Sequence, residues 1–109
     1  KGNEHNIDLK QDAGGIADIE FIVQFMLLAH THGHVSLAKW PDNVRILGAL
    51  ADLELLSKHE ADTLIKAYLE YRNCAHRLAL QNDQLIESNA TLSDLQLKVK
   101  AIWSKYLQI

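Results

Sequence analysis

The residues best placed to do chemistry lie near the start of the chain, where a pair of glycines comes just before two acidic residues. The run reads Gly14-Gly15-Ile16-Ala17-Asp18-Ile19-Glu20. A glycine pair that opens a helix can present backbone N–H groups to a phosphate, because a helix N-terminus carries about half a positive charge. The chain has neither a G-x-G-x-x-G run nor a lysine in P-loop register, so the spacing favours a plain turn over a phosphate site.

The two acidic side chains that follow the glycines need partners if they are buried. Asp18 and Glu20 fall in the first turns of an otherwise apolar helix. Burying a carboxylate there costs free energy unless a basic side chain or a backbone donor pairs with it. A structural ion pair is the favoured interpretation, and the basic residues available for it include Lys10, Arg45, Arg72 and Arg77. The alternative is that one carboxylate faces a cleft, where it orients a metal-bound nucleotide or a catalytic domain.

Histidine and cysteine offer weaker signals. His30, His32 and His34 alternate, and alternating histidines can chelate a transition metal on an extended backbone. No cysteine lies close by, and a histidine at a helix end often only interacts with its negative terminus, so we expect no metal site. Cys74 and His76 are two residues apart on a helix and point to different faces, which argues against a nucleophilic pair.

Glycines and the single proline divide the chain into segments with helical periodicity. The predicted helices run from Ile16 to about His30, from Asp42 to about Leu56, from Ser57 to about Gln81 and from Thr91 to the end. Apolar and polar residues alternate around Ile7 and Leu9, which predicts a short extended segment. Residues 82–90 are expected to form a polar loop. The predicted fold class is all-α, a helical bundle of about four main helices with a short extended N-terminal segment.

Side-chain patterns also predict where helices begin and which faces they bury. Asp42 is placed to cap the second helix, Ser57 and Glu60 have capping-box spacing, and Thr91 and Asp94 repeat it more weakly. The first helix is apolar nearly all round, so we expect it at the centre of the bundle. The third helix carries a stripe, with one polar exception, made of Ala61, Leu64, Ile65, Tyr68, Arg72, Ala75 and Ala79.

Composition argues against several classes of protein, among them nucleic-acid-binding and membrane-spanning proteins. The 109 residues carry a net charge of −3 and make one domain, without the basic stripe that nucleic acid requires. A single cysteine rules out an internal disulfide, and the longest apolar stretch, residues 21–29, is far short of the ~20 residues that span a membrane. Without a signal peptide, these features predict a cytoplasmic protein. Because the chain begins at Lys1 and has only Met26, we expect a piece of a longer protein.

Three runs of residues, taken in order, carry more information than any motif alone. They are Asp8-Leu9-Lys10-Gln11 leading into Gly14-Gly15-Ile16-Ala17-Asp18-Ile19-Glu20-Phe21-Ile22-Val23-Gln24, then Trp40-Pro41-Asp42-Asn43-Val44-Arg45-Ile46-Leu47, then Tyr68, Arg72 and His76-Arg77-Leu78-Ala79-Leu80-Gln81. Together they resemble the glutamine synthetase adenylyltransferase family, from about Ile7 to the end of the chain. The resemblance is closest to the helical domain that ends the C-terminal, adenylylating half. Pro41 departs from a small polar residue expected there, but should leave the Asp42 cap intact.

The resemblance implies a large bifunctional cytoplasmic enzyme that transfers AMP from ATP to a tyrosine of glutamine synthetase and removes it by phosphorolysis in its other half. In that superfamily a Gly-Ser followed by paired aspartates binds magnesium and the triphosphate, and no such motif occurs here. ATP and magnesium are therefore expected in the parent enzyme, with no cofactor and no catalytic residue in this chain. Residues 1–15 would be an extended connector from a nucleotidyltransferase domain, and residues 16–109 the helical domain.

The resemblance also suggests partners and contact residues. We expect the helical domain to pack on its own nucleotidyltransferase domain through residues 14–24 and to help form the nucleotide cleft or the surface that receives glutamine synthetase. The candidates for these contacts are Asp18, Glu20, Lys10, Gly14, Gly15, Asn43 and Arg45, and those for structural polar roles are Arg72, His76 and Arg77.

Two other functions stay open at this point. One is an interaction module that docks the PII signal protein or glutamine synthetase through an exposed helix face. The other, the least favoured, is a metal-binding bundle built on the three histidines. Neither nucleic acid nor a membrane is expected as a partner.

Overall fold

Four helices and a two-stranded ribbon make up the structure, a computed structural model that describes residues 6–8, 14–33, 42–80, 85–87 and 90–107. The elements are β1 (Asn6–Asp8), α1 (Ile16–His30), α2 (Asn43–Asp52), α3 (Lys58–Leu80), β2 (Leu85–Glu87) and α4 (Ala90–Tyr106). The longest helix, α3, packs against each of the other three. The prediction of an all-α bundle of about four main helices with a short extended N-terminal segment is confirmed.

The extended segment near the N-terminus is β1, and its partner was not predicted. β1 pairs antiparallel with β2, with Ile7 opposite Ile86, although residues 82–90 were expected to form only a loop. Strand pairing of this kind is set by a partner far away in the sequence, and a three-residue strand has too little periodicity to be recognised locally. The ribbon therefore ties the start of the chain to the connection between α3 and α4.

The core is built from one face of each helix. On α3 the buried stripe is Ala61, Leu64, Ala67, Tyr71, Cys74 and Leu78. The predicted stripe lay to one side of it: Ile65, Tyr68 and Ala75 are only partly buried, while Arg72 and Ala79 are exposed. Arg72 is thus no exception to the apolar rule, because it faces solvent. Its neighbour Tyr71 is fully buried, and burial raises the pKa of its phenol.

Local capping signals located two of the helix starts correctly. The Asp42 carboxylate accepts a hydrogen bond of 2.8 Å from the Arg45 backbone N–H at the start of α2. The capping box is also confirmed, since Ser57 and Glu60 each receive a backbone N–H from the other, at 3.0 and 3.1 Å. The weaker pattern at Thr91 was wrong, because α4 already begins at Ala90.

The second helix ends earlier than its apolar pattern suggests. α2 stops at Asp52, four residues before Leu56, and the chain turns through Glu54, whose φ is +62°. The N–H groups of Leu55 and Leu56 both donate to the Leu50 carbonyl, at 2.9 and 3.3 Å. These bonds satisfy the end of the helix in the way a left-handed cap does, although glycine is the residue that usually occupies such a position.

Glu54→Gly should therefore stabilise the fold. Glycine removes the cost of a left-handed conformation for an L-residue, about 1–2 kcal/mol, but makes the unfolded chain more flexible, so we expect a net gain of about 0.5 kcal/mol. Urea unfolding would measure it. Glu54→Ala is the matched control, because it removes the same carboxylate while keeping the left-handed strain. If both variants gain the same free energy of unfolding, the removal of the carboxylate charge is responsible and the relief of backbone strain is not.

Candidate functional site

The entry into α1 is the most constrained part of the candidate site. Gly14 is buried and has a φ of +80°, a conformation that L side chains rarely adopt. A Cβ at this position would lie 3.0 Å from both the Cα and the carbonyl carbon of Gln96, and closer still to that carbonyl oxygen. Gly15 follows as the extended N-cap residue of α1. Glycine is therefore required at position 14, because the chain there crosses the backbone of α4 at close range.

Asp18 has a backbone N–H group as its hydrogen-bond partner. Its carboxylate, partly buried in the first turn of α1, accepts a hydrogen bond of 2.6 Å from the Gly14 N–H. Among the described residues, the partner of Asp18 is this backbone donor, and no described basic side chain forms the expected ion pair with it. The bond also engages the Gly14 N–H within the chain, so an incoming phosphate would have to displace a carboxylate to use that donor.

Glu20 has a different environment from Asp18. It is exposed on α1, and Gln24, one turn further on, is exposed on the same side. Phe21, Phe25 and Leu28 are exposed as well, at 59%, 40% and 84%. The expectation that α1 lies at the centre of the bundle is therefore wrong, because only the face that carries Ile19, Ile22, Val23 and Met26 is buried.

The remaining contact candidates lie elsewhere on the fold. Asn43 is the first residue of α2, and exposed Arg45 places its Nε 3.7 Å from the Asp42 carboxylate. Lys10 lies outside the described residues. Whether these residues and the α1 entry act together is a prediction that stays open.

The structural polar candidates are on the exposed side of α3. The Arg72 guanidinium lies 5.7 Å from the centre of the Tyr68 ring, which is within the range of a cation–π contact. An Arg77 Nη donates to the Cys74 sulfur at 3.2 Å, while His76 is exposed. Cys74 is buried at 2% exposure, so it and His76 do face different surroundings, as their spacing predicted.

A polar cluster around Glu60 is the feature that sequence reasoning did not find in full. Besides the capping box, the Glu60 carboxylate accepts hydrogen bonds from the Lys105 ammonium at 2.7 Å and from the Tyr106 hydroxyl at 2.6 Å. Partial burial raises the pKa of Glu60, but the bonds from Lys105, Tyr106 and the Ser57 N–H outweigh it and lower the pKa to about 2. The bond to Glu60 in turn raises the pKa of Lys105. This cluster joins the start of α3 to the end of α4.

The described residues form neither a metal-binding cluster nor a membrane-spanning helix. Among the described residues there is no group of three or more histidine, cysteine or acidic side chains arranged to hold a metal ion. His30 and His32 are described, whereas His34 lies outside the described residues. No helix in the described ranges is both long and apolar enough to cross a membrane.

Comparison with known proteins decides the family. Residues 1–101 match the model of the family described as GlnD PII-uridylyltransferase. The chain belongs to this family. The match covers all but the last eight of the 109 residues.

Three relatives of this GlnD PII-uridylyltransferase family member carry the name bifunctional glutamine synthetase adenylyltransferase/adenylyl-removing enzyme. The protein from Idiomarina loihiensis is 42% identical over 97% of this chain, and that from Nitrosococcus oceani 44% over 93%. The protein from Shewanella loihica is 54% identical over 74%. The resemblance found in the motifs is therefore confirmed. The matched part spans only 11%, 10% and 8% of these three relatives.

Proposed function

We propose that this chain is a non-catalytic helical domain of an enzyme that adenylylates glutamine synthetase, and that it packs on the nucleotidyltransferase domain of the same polypeptide. The observation that carries the proposal is the 42% identity over 97% of the chain to a bifunctional glutamine synthetase adenylyltransferase/adenylyl-removing enzyme. The whole enzyme would transfer AMP from ATP to a tyrosine of glutamine synthetase, in the cytoplasm, with glutamine synthetase and the PII signal protein as its partners.

The donor groups among the described residues do not fit a magnesium and triphosphate site formed by this domain alone. Such a site requires clustered oxygen ligands for the metal and free N–H donors for the phosphates. The described residues hold no such cluster, and the Gly14 N–H is already bonded to Asp18. The domain would instead help to shape a cleft whose reactive groups lie on the nucleotidyltransferase domain.

Within this proposal the two carboxylates have separate roles. Asp18 positions the entry of α1 by holding the Gly14 N–H. Glu20 is exposed on roughly the opposite side of the same helix, so it is the carboxylate able to reach another domain or the protein substrate. We therefore assign the contact across the cleft to Glu20 and a positioning role to Asp18.

Replacing Glu20 by Ala in the full-length enzyme tests the proposal. AMP transfer to glutamine synthetase should fall by roughly tenfold or more, because loss of a positioning contact misaligns the reacting groups, while thermal unfolding should not change. Asp62→Ala, which removes an exposed carboxylate on α3, is the matched control and should transfer normally. A Glu20→Ala enzyme with normal transfer and normal stability would contradict the proposed role.

A further inference from the structure

One side of α1 has the composition of a protein interior but faces solvent in this chain. Phe21, Phe25 and Leu28 are spaced by four and three residues, which places them along one face of the helix. We refer to these three side chains as the α1 apolar face. Exposed aromatic and leucine side chains that adjoin one another on a monomeric domain mark a surface that binds something.

The α1 apolar face is also held in a fixed arrangement. The Phe21 ring meets the Trp103 ring of α4 edge to face, with centroids 5.7 Å apart and planes at 84°. Its helix is anchored at the N-terminus by the close crossing of Gly14 over α4 and on its other side by the core. An apolar surface that is already ordered loses little conformational entropy when a partner covers it.

We propose that the α1 apolar face is the surface on which the nucleotidyltransferase domain of the same polypeptide docks. The proposal rests on the proposed function for the identity of that domain, and it makes the contact chiefly apolar, with Glu20 and Gln24 at its polar edge. This chain represents only 11%, 10% and 8% of three curated relatives, so a polypeptide of their length would contain further domains able to cover the face.

Covalent linkage favours this occupant over a second copy of the chain. A domain joined through a short flexible connector would be present at an effective concentration in the millimolar range, which is well above the micromolar concentrations at which a free protein usually meets a second copy. The ribbon formed by β1 and β2 holds the chain only a few residues before α1 begins, so a domain preceding it is kept near α1. The other possible occupants, a second copy and a separate protein, become outcomes of the test.

Thiol labelling of the full-length enzyme tests the docking surface directly. Phe25→Cys and Leu28→Cys variants would be treated with a maleimide, and the rate at each site would be read by peptide mass spectrometry, so that native cysteines do not interfere. Leu69→Cys is the control, because Leu69 is 51% exposed on α3. Each rate is divided by the rate of the same variant in denaturant. We expect both α1 sites to react roughly tenfold more slowly than the control, because the reagent must wait for the interface to open.

Every other outcome counts against the proposal. Labelling at both α1 sites as fast as at the control would show that the face is uncovered. Protection that is lost on dilution would assign the face to a second copy, and protection that needs added glutamine synthetase or PII protein would assign it to a separate partner. Since Leu28 is 84% exposed within this chain, its replacement should leave the helical domain folded even where that of Phe25 does not.

The labelling result is independent of the transfer assay. Protection at α1 together with normal transfer by Glu20→Ala would keep the docking surface and reject the proposed role of Glu20. Loss of transfer without protection would do the reverse.

Discussion

Gly14→Ala should lower the free energy of unfolding by about 2–4 kcal/mol, the range expected when a new methyl group strains both its own backbone and a packed neighbour. The methyl group would press on the backbone of α4 at Gln96, which has no flexible end that can move aside. The φ of +80° adds strain of its own. Urea unfolding followed by circular dichroism would measure the loss.

Gly48→Ala is the matched control for this prediction. Gly48 lies inside α2, and a Cβ there would meet nothing within 4 Å. Alanine is the better helix former, so this variant should gain about 0.5–1 kcal/mol. The same chemical change is thus expected to have opposite signs at the two glycines. A Gly14→Ala protein as stable as wild type would show that α1 does not cross α4 as closely as described.

Glu60→Gln should lower the free energy of unfolding by about 1–2 kcal/mol at neutral pH, because an amide cannot replace a carboxylate that accepts charge-assisted hydrogen bonds from a neighbouring helix. This loss of unfolding free energy is smaller than that expected when a fully buried ion pair is broken. The Lys105 side chain is 60% exposed, so solvent screens its charge. Asp62→Asn is the control. Its ion pair with Lys58 spans 3.9 Å between two exposed side chains, so its effect should be within a few tenths of a kcal/mol.

The stabilisation by Glu60 should also depend on pH, in a direction that follows from its pKa. The folded chain lowers the pKa of Glu60 from its usual 4.5 to about 2, so the folded state holds this proton less tightly than the unfolded state does. The contribution is complete above pH 4.5 and declines as the pH falls towards 2. Unfolding of wild type and Glu60→Gln should therefore converge over that range. A difference in stability that stays constant from pH 7 to pH 2 would contradict the lowered pKa.

How far the sequence predicts this molecule depends on whether the partners of a residue are local. The bonds between Ser57 and Glu60 involve residues three apart, and their spacing alone identified them. The further bonds from Lys105 and Tyr106 to the same carboxylate depend on how α3 and α4 pack, which no local pattern encodes. Gly14 shows the same limit: its break in the chain was predicted, but the crossing over α4 that requires it was not.

The candidate site was also predictable only where the partners of a residue are local in the sequence. The position of Asp18 and Glu20 on one helix could be predicted, and so could the need to answer a carboxylate in an apolar helix. Which of the two is exposed depended on which face of α1 the other helices cover, and a helix that is apolar all round gives no local indication of that. Sequence periodicity locates a buried face only when the opposite face is polar.

The pairing of β1 with β2 has a consequence for synthesis on the ribosome. Ile7 is made near the start of this chain, but its partner Ile86 emerges only after α1, α2 and α3. At translation rates of about 5–20 residues per second, the first segment waits roughly several seconds for that strand. Gly14 waits longer still, because α4 is the last element made. Until then the buried face of α1 can pack only on α2 and α3, so its contacts with α4, including the crossing at Gly14, are the last to form.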